Sequence, residues 1–152
     1  MQGETLRSKI KEVMVDELML DYPAEEIGNR VTDYTIRPGA ETFPPHYAYY
    51  VELAEPVDAD GHAGLNAATE RLLGEKNPRY EDRVRMGRLQ PCRVHVVGRG
   101  TFQNFQVELA RAAQANGISA VQTKVPRLLR DDGHIELLET RVEWRREEEA
   151  PR

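Results

Sequence analysis

Nine residues, Ser119-Ala120-Val121-Gln122-Thr123-Lys124-Val125-Pro126-Arg127, hold the strongest candidate for chemistry in this chain. They follow a helix-stop signal, Asn116-Gly117. A lysine stands between short apolar steps, a proline fixes the backbone two residues later, and an arginine comes next. A compact ammonium on a pinned, extended segment is a positioned point charge. Such charges offset the negative charge that develops when carboxylates and phosphates react. Composition alone offers a plainer alternative, a solvent-facing lysine on an edge strand.

Other reactive residue types pair with duller explanations. Gly98-Arg99-Gly100 lies between a strand pattern and a helix pattern, like a dinucleotide-binding turn. Gln103 stands where the third glycine belongs, so a tight strand-to-helix turn is favoured. His46, His62, His95 and His134 form no metal-ligand spacing with Cys, Asp or Glu. His46, in Pro44-Pro45-His46-Tyr47, suits either a cleft or a hydrogen-bonded strand end. Cys92 falls in an alternating stretch and reads as a small buried thiol. Ser119 has no base near it in sequence and no nucleophile elbow around it. Arg79, Arg83, Arg85, Arg88, Arg93 and Arg99 make a basic stretch that suits phosphate or another domain, with a solvated face as the default reading.

The totals narrow the class. A length of 152 residues fits one domain with a real core. A formal charge of −5 argues against a general nucleic-acid or anionic-membrane binder. One cysteine excludes a disulfide framework and suits a reducing, cytoplasmic setting. No apolar run approaches membrane-spanning length, and the start of the chain lacks a signal-peptide pattern. Residues 145–152 are nearly all charged and read as a disordered tail, leaving 1–144 as the domain.

Periodicity supplies the elements that must position these residues. Leu6, Ile10, Val13, Met14 and Leu18 predict a helix over about 6–20, ended by Pro23. Strands are predicted over 30–37, with a turn at Pro38-Gly39, and over 46–53. Residues 55–64 read as a loop. Leu65 to Gly74 reads as a helix, and Asn77-Pro78 starts a short one. A third strand covers 93–97. Thr101 is the expected N-cap of a helix closed by Gly117. Residues 121–129 read as extended. Asp131-Asp132-Gly133 reads as a hairpin turn returning into a strand over 134–142. The sum is a mixed α/β (α+β) domain, a small mixed sheet of about four or five strands flanked by helices.

Several of these segments, taken in order, resemble the C-terminal domain of the auxin-responsive "Gretchen Hagen" family of acyl-acid amido synthetases, which are adenylate-forming enzymes. The matching pieces are Gly3-Glu4-Thr5-Leu6, Pro44-Pro45-His46-Tyr47 with Val51-Glu52-Leu53, and Leu72 to Tyr80 with Arg83. Gly100-Thr101-Phe102 and Gly117 through Gln122-Thr123-Lys124-Val125-Pro126-Arg127 complete the set. Thr5 departs from the family's hinge, where a lysine commonly follows Gly-Glu. The resemblance implies a mobile C-terminal lid domain of an ATP-dependent ligase joining a carboxylic acid to an amino acid through an acyl-adenylate. It implies Lys124 as the catalytic lysine, with Gln122 and Arg127 beside the nucleotide. It implies ATP and magnesium in the complete enzyme and neither bound to this domain alone. The implied partner is an ATP-binding N-terminal domain, in cis or as a separate chain, that brings the acid and amino acid substrates; nucleic acid and membrane are not expected. The alternative is a stand-alone, non-catalytic module that binds a partner protein. A third class is single-stranded nucleic-acid binding through the arginines with Tyr47, Tyr49 and Tyr50.

Overall fold

The computed structural model describes residues 20–117 and 125–145. The helix expected over 6–20 therefore lies outside the described residues except for Leu20, which is buried at the start of α1, Asp21–Glu26. Pro23 does not end a helix; it sits in the first turn of α1, where a missing N–H costs nothing. The strands are β1, Val31–Gly39, β2, His46–Leu53, β3, Arg93–Val97, and β4, Val142–Trp144. They form one four-stranded sheet in the order β1-β2-β3-β4. β1 and β2 are antiparallel, β2 and β3 parallel, and β3 and β4 antiparallel.

The expected mixed sheet with flanking helices is thus the observed architecture, but four local expectations fail. Pro38-Gly39 is not a turn, because β1 runs on through Gly39. β1 is the first strand of the sheet, where a proline can turn its missing donor away from the ladder. Residues 55–64 are not all loop. Asp58 accepts the Gly61 N–H at 2.7 Å and starts α2, Ala59–Lys76, which outlasts the expected end at Gly74. Thr101 is not the N-cap of α4, Thr101–Ala115; Gly100 is, at φ 84°, a left-handed backbone suited to glycine. Last, Asp131 is no hairpin residue. Its carboxylate accepts the His134 N–H at 3.0 Å and caps α5, Asp132–Glu139, so the strand expected over 134–142 is a helix followed by three strand residues. Asp and Gly serve a helix start as readily as a tight turn, and the buried Leu138 fits helical spacing with Ile135. The short helix after Asn77 is α3, Pro78–Arg85.

The alternation of the strands gives the sheet two unlike faces. Tyr47, Tyr49, Val51 and Leu53 of β2 point to one face, with Tyr34, Ile36, Val94 and Val96. There they pack with Leu65 and Leu73 of α2 and Tyr80 of α3. The other face carries Thr35, Arg37, Tyr50, Glu52 and His95, and meets Phe102 and Phe105 of α4 and Leu138 of α5.

α2 also closes the start of β3. Asn66 accepts the Val94 N–H at 2.8 Å and donates to Val94 O at 3.2 Å, while Glu70 accepts the Cys92 N–H at 2.9 Å. His62 Nε2 lies 2.8 Å from Val94 O. A helical step of four residues, about 6 Å, nearly matches two residues of strand, about 6.6 Å. Asn66 and Glu70 therefore reach Val94 and Cys92 in turn, with His62 adding a second contact to Val94 O, on an edge that the short β4 does not reach.

Candidate functional site

Lys124 and Gln122 lie outside the described residues. The segment that follows them does not. Residues 125–129 run along the outer edge of β1, with a parallel bridge between Ile36 and Leu128. Ile36 N–H donates to Arg127 O at 2.9 Å, and Leu129 N–H donates to Ile36 O at 2.8 Å. The Thr35 hydroxyl donates to Pro126 O at 2.6 Å. Val125 and Leu129 are buried against Tyr50, Phe105 and Leu138. The extended reading of 121–129 thus holds for the part that is described.

Arg127 sits on this attachment. Its guanidinium pairs with Asp33, donates to Tyr34 O, and lies 4.5 Å from the Tyr34 ring centroid. Cation, carboxylate and aromatic face form one cluster at the edge of the sheet.

Behind the segment lies a polar network on the second face of the sheet. Arg37 Nε donates to the Tyr50 hydroxyl at 2.8 Å, and that hydroxyl donates to Glu139. Arg37 also pairs with Glu41 at 3.0 Å, and Glu139 pairs with Arg145. Burial is the largest influence on the Glu139 carboxyl and raises it. The hydrogen bonds from Arg145 and Tyr50 outweigh that and hold it below the ordinary value. Burial drives the imidazole of His95, 5.5 Å from the Tyr50 ring, down to about 3. Burial also drives His46 down to about 4. His46 packs over Gly39, where a Cβ would come within 2.2 Å of its ring, and its Nδ1 lies 2.9 Å from the Thr42 hydroxyl. The strand-end reading of His46 fits this geometry. A cleft of about 460 Å³ opens beside the network, between Pro38 and Glu41 on one side and Arg130 and Ile135 on the other.

The turn at Gly98-Arg99-Gly100 offers no free anion site. The Phe102 N–H at the start of α4 already donates to the Glu52 carboxylate at 3.0 Å. That carboxylate also meets the helix dipole. Cys92 is buried, as the sequence suggested. Arg79, Arg85 and Arg88 are exposed along and after α3, and Arg83 is half-buried with a bond to Arg79 O. Among the described residues no group of three His, Cys, Asp or Glu could hold a metal ion, and no helix is long and apolar enough to cross a membrane.

Sequence reasoning singled out Arg127 but missed its partners Asp33 and Thr35, and it missed the Arg37–Tyr50–Glu139 network. One signal was present. Thr35, Arg37 and Tyr50 share a parity on paired strands with few apolar neighbours, which marks a sheet face that must find polar partners.

The match to known proteins is consistent along the chain. Residues 17–133 match the model of the GH3 family C-terminal domain. A probable indole-3-acetic acid-amido synthetase, GH3.1 of Arabidopsis thaliana, is 34% identical over 121 residues, covering 78% of this chain and 20% of its own length. The indole-3-acetic acid-amido synthetase GH3.8 of Oryza sativa subsp. indica is 35% identical over 122 residues, covering 76% of this chain and 19% of itself. The chain thus spans about a fifth of the length of the curated relatives it matches. The solved structure of the GH3.15 acyl acid amido synthetase superposes with a TM-score of 0.57 at 23% identity, over 90% of this chain and 23% of that one. Family model, relatives and fold agree, and the chain belongs to the GH3 family, whose C-terminal domain it matches.

Proposed function

We propose that the chain is the mobile C-terminal domain of an ATP-dependent acyl acid–amino acid ligase, working in the cytoplasm and inactive without an ATP-binding N-terminal domain. The relatives' names point to indole-3-acetic acid or a similar carboxylic acid as the acyl substrate. In the first half-reaction an acid oxygen attacks the α-phosphate of ATP and pyrophosphate leaves. In the second, an amino acid's amine attacks the acyl carbon, forming the amide and releasing AMP. Lys124 would bring its ammonium to the phosphoryl oxygens as charge accumulates in the first step. Gln122 beside it would contribute a polar contact to the nucleotide. Rotation of the domain would then withdraw the lysine for the second step.

The observation that carries this reading is the fastening of residues 125–129 to β1 directly after Lys124. That attachment holds the backbone from Pro126 onward, two residues after Lys124 in sequence. The self-filled start of α4 supports a division of labour in which nucleotide binding belongs to the partner domain.

Half-reactions measured with this chain joined to a GH3 N-terminal domain test it. Lys124→Ala should slow acyl-adenylate formation by about 10² to 10³. Nucleotide binding should change little, and amide formation from preformed adenylate should fall far less. Lys124→Arg should rescue poorly, because a planar guanidinium does not replace a compact ammonium. Equal loss in both half-reactions, or none in either, would overturn the assignment and favour a partner-binding module.

A further inference from the structure

We propose that Thr35 and Asp33 are positioning residues for acyl-adenylate formation, acting through the segment that follows Lys124 in sequence, and that Arg127 is their latch and not a nucleotide ligand. The inference rests on the reading of Lys124 given above and adds to it two residues about 90 positions away in sequence.

The geometry begins at Pro126. A proline has no N–H, so at this position the segment cannot donate to the edge of β1. Its carbonyl is held instead by a side chain, the Thr35 hydroxyl at 2.6 Å. Thr35 is fully buried, on the sheet face that packs α4 and α5. A buried hydroxyl without a partner is costly, so this bond fixes the position of Pro126. The backbone ladder starts one residue later, with Ile36 N–H to Arg127 O and Leu129 N–H to Ile36 O. Arg127 then reaches back along β1 to the Asp33 carboxylate, the Tyr34 carbonyl and the Tyr34 ring. Four consecutive residues of β1, Asp33 to Ile36, thus hold Pro126, Arg127 and Leu129 of the segment. The Thr35 hydroxyl also lies 3.4 Å from Arg127 O. A slip by one residue would break the ladder and the Arg127 pair together and exchange the short Pro126 bond for another.

Two consequences separate this from plain structural support. The Arg127 guanidinium is already committed to a carboxylate, a carbonyl and a ring, and its charge is offset by Asp33 rather than held out for phosphate. The grip also begins two residues after Lys124 in sequence, so loosening it frees the segment next to the lysine while leaving the apolar core of the other sheet face in place. Misplacement of a reacting group by about 1 Å costs about 10² in rate.

The test uses this chain joined to a GH3 N-terminal domain, with both half-reactions and thermal unfolding measured. Thr35→Val keeps the shape and removes the hydroxyl. It should lower kcat for acyl-adenylate formation by about tenfold to a hundredfold. KM for ATP and amide formation from preformed adenylate should stay within about twofold of the parent, the range left when no transition-state contact is lost. Thr35→Ser restores the hydroxyl and should recover most of the rate. Asp33→Asn should show the same kcat-only loss and, in this chain alone, faster hydrogen exchange at the Leu129 amide. If Lys124→Ala is crippled but Thr35→Val adenylates at the parental rate, the positioning role is overturned and the lysine assignment stands. If Lys124→Ala is as active as the parent, both fall together. Equal loss in the two half-reactions without rescue by Ser would make Thr35 a structural residue and overturn the proposal. A rise in KM for ATP on Arg127→Lys with kcat unchanged would return Arg127 to the nucleotide.

Discussion

The two faces of the sheet solve the same problem by different means. On the face under α1, α2 and α3, aromatic and branched side chains exclude water, and shape complementarity holds the helices. On the face under α4 and α5, Arg37, Tyr50 and His95 meet Glu139 and Arg145, and hydrogen bonds set the distances. Apolar packing is strong but directionless, whereas a polar network specifies geometry at a smaller net gain. The segment that follows Lys124 is bound at the border of the second face, where geometry matters most. The difference suggests that the first face supplies stability and the second supplies placement.

The sharpest way to break that contrast is to delete core volume from the apolar face. Leu73 is fully buried between α2 and the sheet. Leu73→Ala should destabilise the domain by about 2–5 kcal/mol, read by urea unfolding. It should leave the hydrogen exchange of the Leu129 amide, relative to global unfolding, unchanged. A loss below about 1 kcal/mol, the range of a tolerated surface change, would mean the apolar face is not the main source of stability.

Acid should attack the other face selectively. In the unfolded chain both imidazoles take protons near pH 6.5. In the folded chain His46 waits until about 4 and His95 until about 3. Between those limits the unfolded state binds more protons, so stability falls as pH falls. The Glu139 carboxylate, held below its ordinary value, adds stability that is present above the ordinary carboxylate range and lost as pH drops through its folded value. Burial raises Tyr49 and Tyr80 on the apolar face, and those groups respond only to strong base. Unfolding free energy should therefore drop by about 5 kcal/mol between pH 7 and 4.5, about half from each imidazole. His46→Gln should flatten part of that slope. A profile unchanged by His46→Gln would remove His46 from the account.

The smallest effect should come from the centre of the polar network. Tyr50→Phe removes the hydroxyl between Arg37 and Glu139 while keeping the ring. The direct Arg37–Glu139 pairing at 3.6 Å and solvent near Glu139 soften the loss. A cost of about 1 kcal/mol is expected by thermal or urea unfolding. A cost matching that of Leu73→Ala would erase the distinction between the faces.

How much of this was readable in advance follows the same division. The third strand, Arg93–Val97, and the second, His46–Leu53, have the predicted bounds because β-branched and aromatic residues there bury both faces. Helix starts were less legible. In the sequence Asp58 and Asp131 look like loop and turn residues, since aspartate and glycine serve caps and turns alike and only packing of the following residues decides. Pro38 misled for a related reason, because a proline is a breaker in a central strand and harmless on an edge, and edge status belongs to the whole sheet.

The sequence by itself determined the mixed α/β class, the family resemblance and the interest of the segment around Lys124, because periodicity and ordered motifs are local properties of the chain. Only the tertiary structure decided that Arg127 meets Asp33 and Tyr34, that Thr35 holds Pro126, and that Glu52 fills the start of α4. Those contacts join residues 50 to 94 positions apart, and no local rule fixes which polar group a strand will bring within 3 Å of another. Once the sheet aligns β1 with residues 125–129, each buried polar group must find a partner among what folding has placed nearby, and that requirement selects the pairs.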